Sequence, residues 1–88
     1  MYYMLTYDIA GVKRLPKVLK ICRQYLHHVQ NSVFEGELTK KQKEELVSCL
    51  EEIINKKEDA VIIYGVRDIS LLKREVMGTE KKAVNYIL

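Results

Sequence analysis

The sequence predicts an α+β sandwich, one antiparallel β-sheet covered on one face by two helices. Three observations lead there. Two stripes, Leu15-Val18-Leu19-Cys22-Leu26 and Leu46-Val47-Leu50-Ile53-Ile54, place apolar residues at helical spacing. Segments 2–7, 29–38 and 60–66 are rich in aromatic and β-branched residues, the composition of strands. Helices and strands alternate, with further β-prone runs at the end, the pattern of layered α+β packing. The chain is 48% hydrophobic and 31% charged, so it is globular rather than disordered. Its 88 residues make one domain, 1–88, with a core small enough for oligomerisation to be a natural supplement.

The first strand, MYYMLTYDIAG, ends at Asp8 and is broken by Gly11. Alternation puts Tyr3, Leu5 and Tyr7 on one face and Tyr2, Met4, Thr6 and Asp8 on the other. Asp8 at the mouth of this strand has two readings. It either caps the following turn or helix, or it presents a carboxylate to solvent, a metal or a ligand. After Ile9-Ala10-Gly11 a helix of about 15 residues is expected, with Pro16 in its first turn where the missing N–H costs nothing. Its polar face carries Lys13, Lys17, Lys20, Gln24 and His27, flanked by Arg14 and Arg23. That face is either solvated or a phosphate-binding surface. Lys13 and Arg14 fall where the helix dipole is already positive, so they concentrate positive potential beside Asp8.

His27 and His28 are adjacent and lack metal-pair spacing; they read as helix-end and strand-start residues. Residues 29–38, VQNSVFEGEL, form one bent strand or two short ones, with Gly36 marking a bulge or turn. Thr39 and Gln42 have capping-box spacing and open the second helix. Glu44 and Glu45 early and Lys56 and Lys57 late suit its dipole. AVIIYGV at 60–66 reads as a strand covered on both faces or central in the sheet. Residues 71–77, LLKREVM, read as an edge strand, and 78–82 as a polar loop. The apolar hexamer AVNYIL at 83–88 would be a sticky edge if left exposed, so the 78–88 loop and strand are expected to pair, with a partner protomer's sheet as the attractive choice.

The residues also exclude. No run reaches the roughly 20 apolar residues of a membrane span. Asp8 interrupts the N-terminal apolar stretch without a cleavage pattern after it, so no signal peptide is expected and the cytoplasm is the default. Cys22 and Cys49 form no CxxC pair and read as buried thiols of a reducing compartment. A net charge of +3 permits nucleic-acid contact without requiring it. No glycine-rich anion loop supports a small-molecule sensor, and AVIIYGV lacks the aromatic pattern of an RNA-recognition sheet.

Tyr7-Asp8-Ile9 at a strand end, a basic helix, then Val29-Gln30-Asn31-Ser32-Val33-Phe34-Glu35-Gly36 and a second helix together resemble the CRISPR-associated protein two family. The detailed match spans roughly the first forty residues and the layout of the remainder agrees. The resemblance implies a ferredoxin-like βαββαβ sandwich with an extra C-terminal strand that adds to the partner's sheet in a homodimer. It implies a metal-dependent endonuclease acting on RNA or double-stranded DNA in spacer acquisition, alongside the CRISPR integrase subunit. The alternatives on the same fold are a catalytically silent DNA-binding scaffold of the integration complex and a toxin-like ribonuclease. By position, Asp8 matches the family's metal-binding, catalytic aspartate, and Mg²⁺, with Mn²⁺ as a substitute, is the implied ion. Tyr7, Ser32 and Phe34 match accessory positions, and Lys13, Arg14 and Lys17 stand where basic residues would hold nucleic acid. His28 departs from the pattern, because an Arg is common there; a neutral imidazole lacks the fixed charge and fork of a guanidinium.

One aspartate per chain is a sparse nuclease site. Two-fold symmetry would bring a second copy of Asp8, and the two carboxylates would repel unless a cation lay between them. Mg²⁺ suits such a site because it retains several waters and needs only one or two carboxylates.

Overall fold

The computed structural model describes residues 1–80. Its elements run β1 (Tyr2–Asp8), α1 (Leu15–Tyr25), β2 (His27–Gln30), β3 (Val33–Glu37), α2 (Lys40–Ile53) and β4 (Ala60–Val66), followed by a 3-10 turn at Ile69–Leu71. The sheet order is β2-β3-β1-β4, with every neighbouring pair antiparallel. This βαββαβ order is the expected ferredoxin-like sandwich. The 29–38 stretch resolves into two strands: β2 begins at His27, and Asn31-Ser32 turns the chain into β3. Asn31 takes the turn's left-handed conformation at φ 42°, which asparagine tolerates better than most residues.

Side-chain alternation divides the sheet cleanly. Leu5 faces Phe34 on one neighbour and Ile63 on the other, so Tyr3, Leu5, Tyr7, Phe34, Val61 and Ile63 share the helix-covered face. Leu5, Phe34, Val18, Cys22, Leu26, Leu38, Leu46 and Leu50 form the buried core. Phe34 is the largest fully buried side chain. Truncating it to alanine would cost about 3–5 kcal/mol, a large share of the roughly 5–15 kcal/mol that holds a domain folded. The capping box forms as expected: Gln42 N–H donates to Thr39 Oγ1 at 3.1 Å, and Thr39 N–H donates to Gln42 Oε1 at 2.9 Å.

Several expectations are corrected. α1 spans 11 residues rather than about 15, because the chain turns directly into β2. α2 ends at Ile53, so Lys56 and Lys57 lie beyond it, and its first turn carries no acid. β4 is an edge strand of the described sheet, not a central one. Its outward residues Ile62 and Tyr64 are 50% and 57% exposed. Continuous hydrophobicity there reflects an inner face packed on the core and an outer face that the described residues leave exposed at Ile62 and Tyr64. Residues 71–77 form no strand. Asp68 accepts from the Ser70 N–H at 2.8 Å and starts the 3-10 turn instead, breaking the extended run before it can pair. The following segment reaches the open face, where Arg74 meets Glu35 at 3.9 Å and also pairs with Glu80. AVNYIL lies outside the described residues. Among those described, no helix is long and apolar enough to cross a membrane.

Candidate active site

Asp8 is the last residue of β1, opposite Ala60 of β4. By alternation it lies on the open face of the sheet, on the side of Ile62 and Tyr64. Its side chain is exposed and makes no hydrogen bond or ion pair among the described residues. It therefore caps nothing. The residue flanking α1 is Arg14, and that helix start has no side-chain cap at all.

Ser32 and Phe34, from the 29–38 stretch, converge on the same strand end. Tyr7 N–H donates to the Ser32 carbonyl at 3.2 Å, tying the β2–β3 turn to the residue before Asp8. The Tyr7 ring leans on Phe34, with centroids 6.2 Å apart and planes tilted by 34°. Burial holds the Tyr7 phenol above its ordinary pKa. It stays protonated at neutral pH and is no candidate base. Phe34 is core, and its ring packs beside that of Tyr7.

The basic residues divide. Lys13, in the loop before α1, and Lys17, in the first turn, are exposed and free of ion pairs among the described residues. Arg14 is committed elsewhere. Its Nε donates to Asp59 Oδ2 at 2.7 Å and its Nη2 to Asp59 Oδ1 at 3.1 Å and Glu58 Oε1 at 3.0 Å. Asp59 also accepts from Ala10 N–H at 2.8 Å and Asn55 N–H at 2.9 Å. The Arg14 guanidinium first, with these backbone donors, holds the buried carboxyl well below the usual carboxylate range. This bracket ties the loop after Asp8 to the connection before β4. Gly11 makes room for it, since a Cβ there would fall 2.6 Å from the Arg14 guanidinium carbon.

Sequence reading passed over Asp59, although a signal existed. An arginine at a helix start with no acid in the first turn sits against the helix dipole, and a carboxylate from elsewhere in the chain offsets that. On the open face the Tyr2 hydroxyl donates to Glu35 at 2.6 Å. Burial, and then the Glu35 carboxylate, push the Tyr2 phenol up to about 12. No group of three or more His, Cys, Asp or Glu residues that could hold a metal occurs among the described residues.

Residues 1–74 match the family described as CRISPR associated protein Cas2. The chain belongs to that family. A Cas2 relative from Thermococcus kodakarensis, named CRISPR-associated endoribonuclease Cas2, is 47% identical over 88 residues and is matched over the whole of both chains. A second, CRISPR-associated endoribonuclease Cas2 2 of Archaeoglobus fulgidus, is 50% identical over 80 residues, 91% of this chain and 86% of the relative. The crystal structure of Streptococcus pyogenes Cas2 superposes with a TM-score of 0.77 at 34% identity, covering 89% of this chain and all of that one. Membership in the Cas2 family agrees with the ferredoxin-like sandwich.

Proposed function

We propose that this protein is a metal-dependent endonuclease of CRISPR adaptation that cleaves phosphodiester bonds in RNA or double-stranded DNA as a cytoplasmic homodimer partnered by the CRISPR integrase subunit. One observation carries the reading: among the described residues Asp8 has no partner, and it stands on the open face of the sheet, on the same side as exposed apolar side chains. A second copy packed on that face would bring its own Asp8 toward the first. The relatives named as endoribonucleases support the chemistry.

A lone exposed carboxylate fits Mg²⁺, or Mn²⁺ in its place, as half of a site; the hard oxygen donor is right and the remaining positions suit water and phosphate. Asp8 from each copy would hold the ion. When bound, the ion would polarise a phosphate and acidify a water. The chain's own residues supply the rest. Tyr7, braced by Phe34 and the Ser32 carbonyl, fixes the direction in which Asp8 leaves the strand. Lys13 and Lys17 hold flanking phosphates, while Arg14 acts indirectly by fixing the loop that carries Lys13. Among the described residues Asp8 belongs to no group of three or more metal-ligating side chains, so one protomer offers a sparse site and turnover is expected to be slow.

That same sparseness favours one competing reading, a non-catalytic nucleic-acid scaffold bound through Lys13 and Lys17. The discriminating experiment compares wild type with Asp8→Asn on labelled RNA and duplex DNA, with Mg²⁺ and with chelator. Cleavage that needs both Mg²⁺ and Asp8 supports the endonuclease. Binding without metal-dependent cleavage in either protein supports the scaffold.

A further inference from the structure

We infer that His28 is a positioning residue for the Asp8 site, acting through the β2–β3 turn; the inference rests on the endonuclease reading for its kinetic consequence. His28 Nε2–H donates to the Asn31 carbonyl at 2.6 Å. A carbonyl can only accept, so Nε2 carries the proton. The bond is available whether the ring holds one proton or two. The ring also stacks on Phe34, with centroids 4.3 Å apart and planes within 8° of parallel.

Two routes therefore lead from His28 to Tyr7. One runs through space: His28 lies on Phe34, and Phe34 supports Tyr7. The other runs through the turn. His28 holds the carbonyl of Asn31, the residue in left-handed conformation, and the next residue, Ser32, accepts the Tyr7 N–H. Asp8 follows Tyr7 directly. Although exposed, His28 holds the near end of both routes toward the proposed metal carboxylate. A permanently charged guanidinium is not required for this work; a flat ring with one fixed donor is.

The turn's hydrogen bond is the decisive contact, and the test separates it from the stack. In the full-length protein, His28→Ala is expected to speed amide hydrogen exchange at Tyr7 about tenfold while Leu5, in mid-strand, is unchanged. In Mg²⁺-dependent cleavage of labelled RNA it is expected to lower kcat about tenfold with KM for the RNA unchanged, the mark of lost orientation rather than lost binding. His28→Gln, which can place a donor near the Nε2 position, is expected to restore both readouts to within about threefold of wild type. Should His28→Ala fail to fold, His28→Phe takes its place, since it can keep the stack and lacks the donor. Wild-type Tyr7 protection in the variant without the donor overturns the inference, as does a rise in KM at constant kcat, or a glutamine variant that behaves like alanine. Wild-type protein without metal-dependent cleavage overturns the endonuclease reading instead, and the exchange measurement then decides the role of His28 alone.

Discussion

Arg14 grips Asp59 across 45 residues of sequence, Nε to Oδ2 at 2.7 Å and Nη2 to Oδ1 at 3.1 Å, and the same carboxylate holds the Ala10 N–H. The site's loop is thus built on a buried charge that is fully partnered. Removing one partner of such a pair leaves the other charge stranded, which costs far more than losing a surface contact. Asp59→Asn is expected to lower the melting temperature by more than about 8 °C. Thermal unfolding followed by circular dichroism checks this.

The same pair sets a pH dependence. The Asp59 carboxyl has its pKa lowered in the folded state. Its stabilisation is therefore present above the ordinary carboxylate value near pH 4 and is lost as pH falls below that toward the lower folded value. Melting temperature measured between pH 7 and pH 2 should fall steeply only below about pH 4 in wild type. In Asp59→Asn that acid limb should flatten. An identical acid limb in both proteins would place the titrating group elsewhere.

The two thiols should separate by reactivity. Cys22 lies in the core, where burial pushes its thiol up to about 11, whereas Cys49 is partly exposed. Since the thiolate is the reactive form, native protein at pH 8 should take up alkylating reagent at Cys49 and spare Cys22. Denatured protein should label at both. Peptide mass mapping checks the assignment.

Much of this architecture was legible because local and global signals agree. The capping box of Thr39 and Gln42, the stripe through Val18 and Cys22, and the alternation around Leu5 each specify an element that the structure contains. The place of Asp8 at the end of β1 was legible because a carboxylate ends an apolar strand. The failures share a cause. β4 reads from composition as covered on both faces or central, yet it is an edge of the described sheet, because hydrophobicity reports burial or a waiting partner without saying which. The strand expected at 71–77 gave way to a local competitor, the Asp68–Ser70 bond. Arg14 looked like a phosphate ligand because its partner Asp59 is distant in sequence, and spacing rules are blind to such pairs.

Lys13 and Lys17 give a prediction in salt. Each phosphate they neutralise contributes about 0.7–0.9 to the slope of log affinity against log salt, single strands at the lower end and duplex at the upper. Replacing both with alanine should reduce the slope by roughly one per lysine engaged and weaken binding to all sequences alike. Fluorescence anisotropy at several salt concentrations reads both quantities. Arg14→Ala should show its main effect in melting temperature, because its guanidinium is already occupied by Asp59 and Glu58.

The open face of the sheet supplies the last prediction. Ile62 and Tyr64 stand half-exposed on β4, on the same side as Asp8, and their side chains point away from the core. If a second copy covers them, a carboxylate at either position would be desolvated without a partner, a cost that blocks assembly while leaving the monomer's own core intact. Ile62→Glu with Tyr64→Glu should therefore sediment as a folded monomer, with helix content unchanged by circular dichroism. Cleavage should fall to the level of Asp8→Asn, because each copy would keep its carboxylate but lose the one opposite. A double variant that stays dimeric and active would move the protomer contact off this face, and the two aspartates would have to meet by another geometry or not at all.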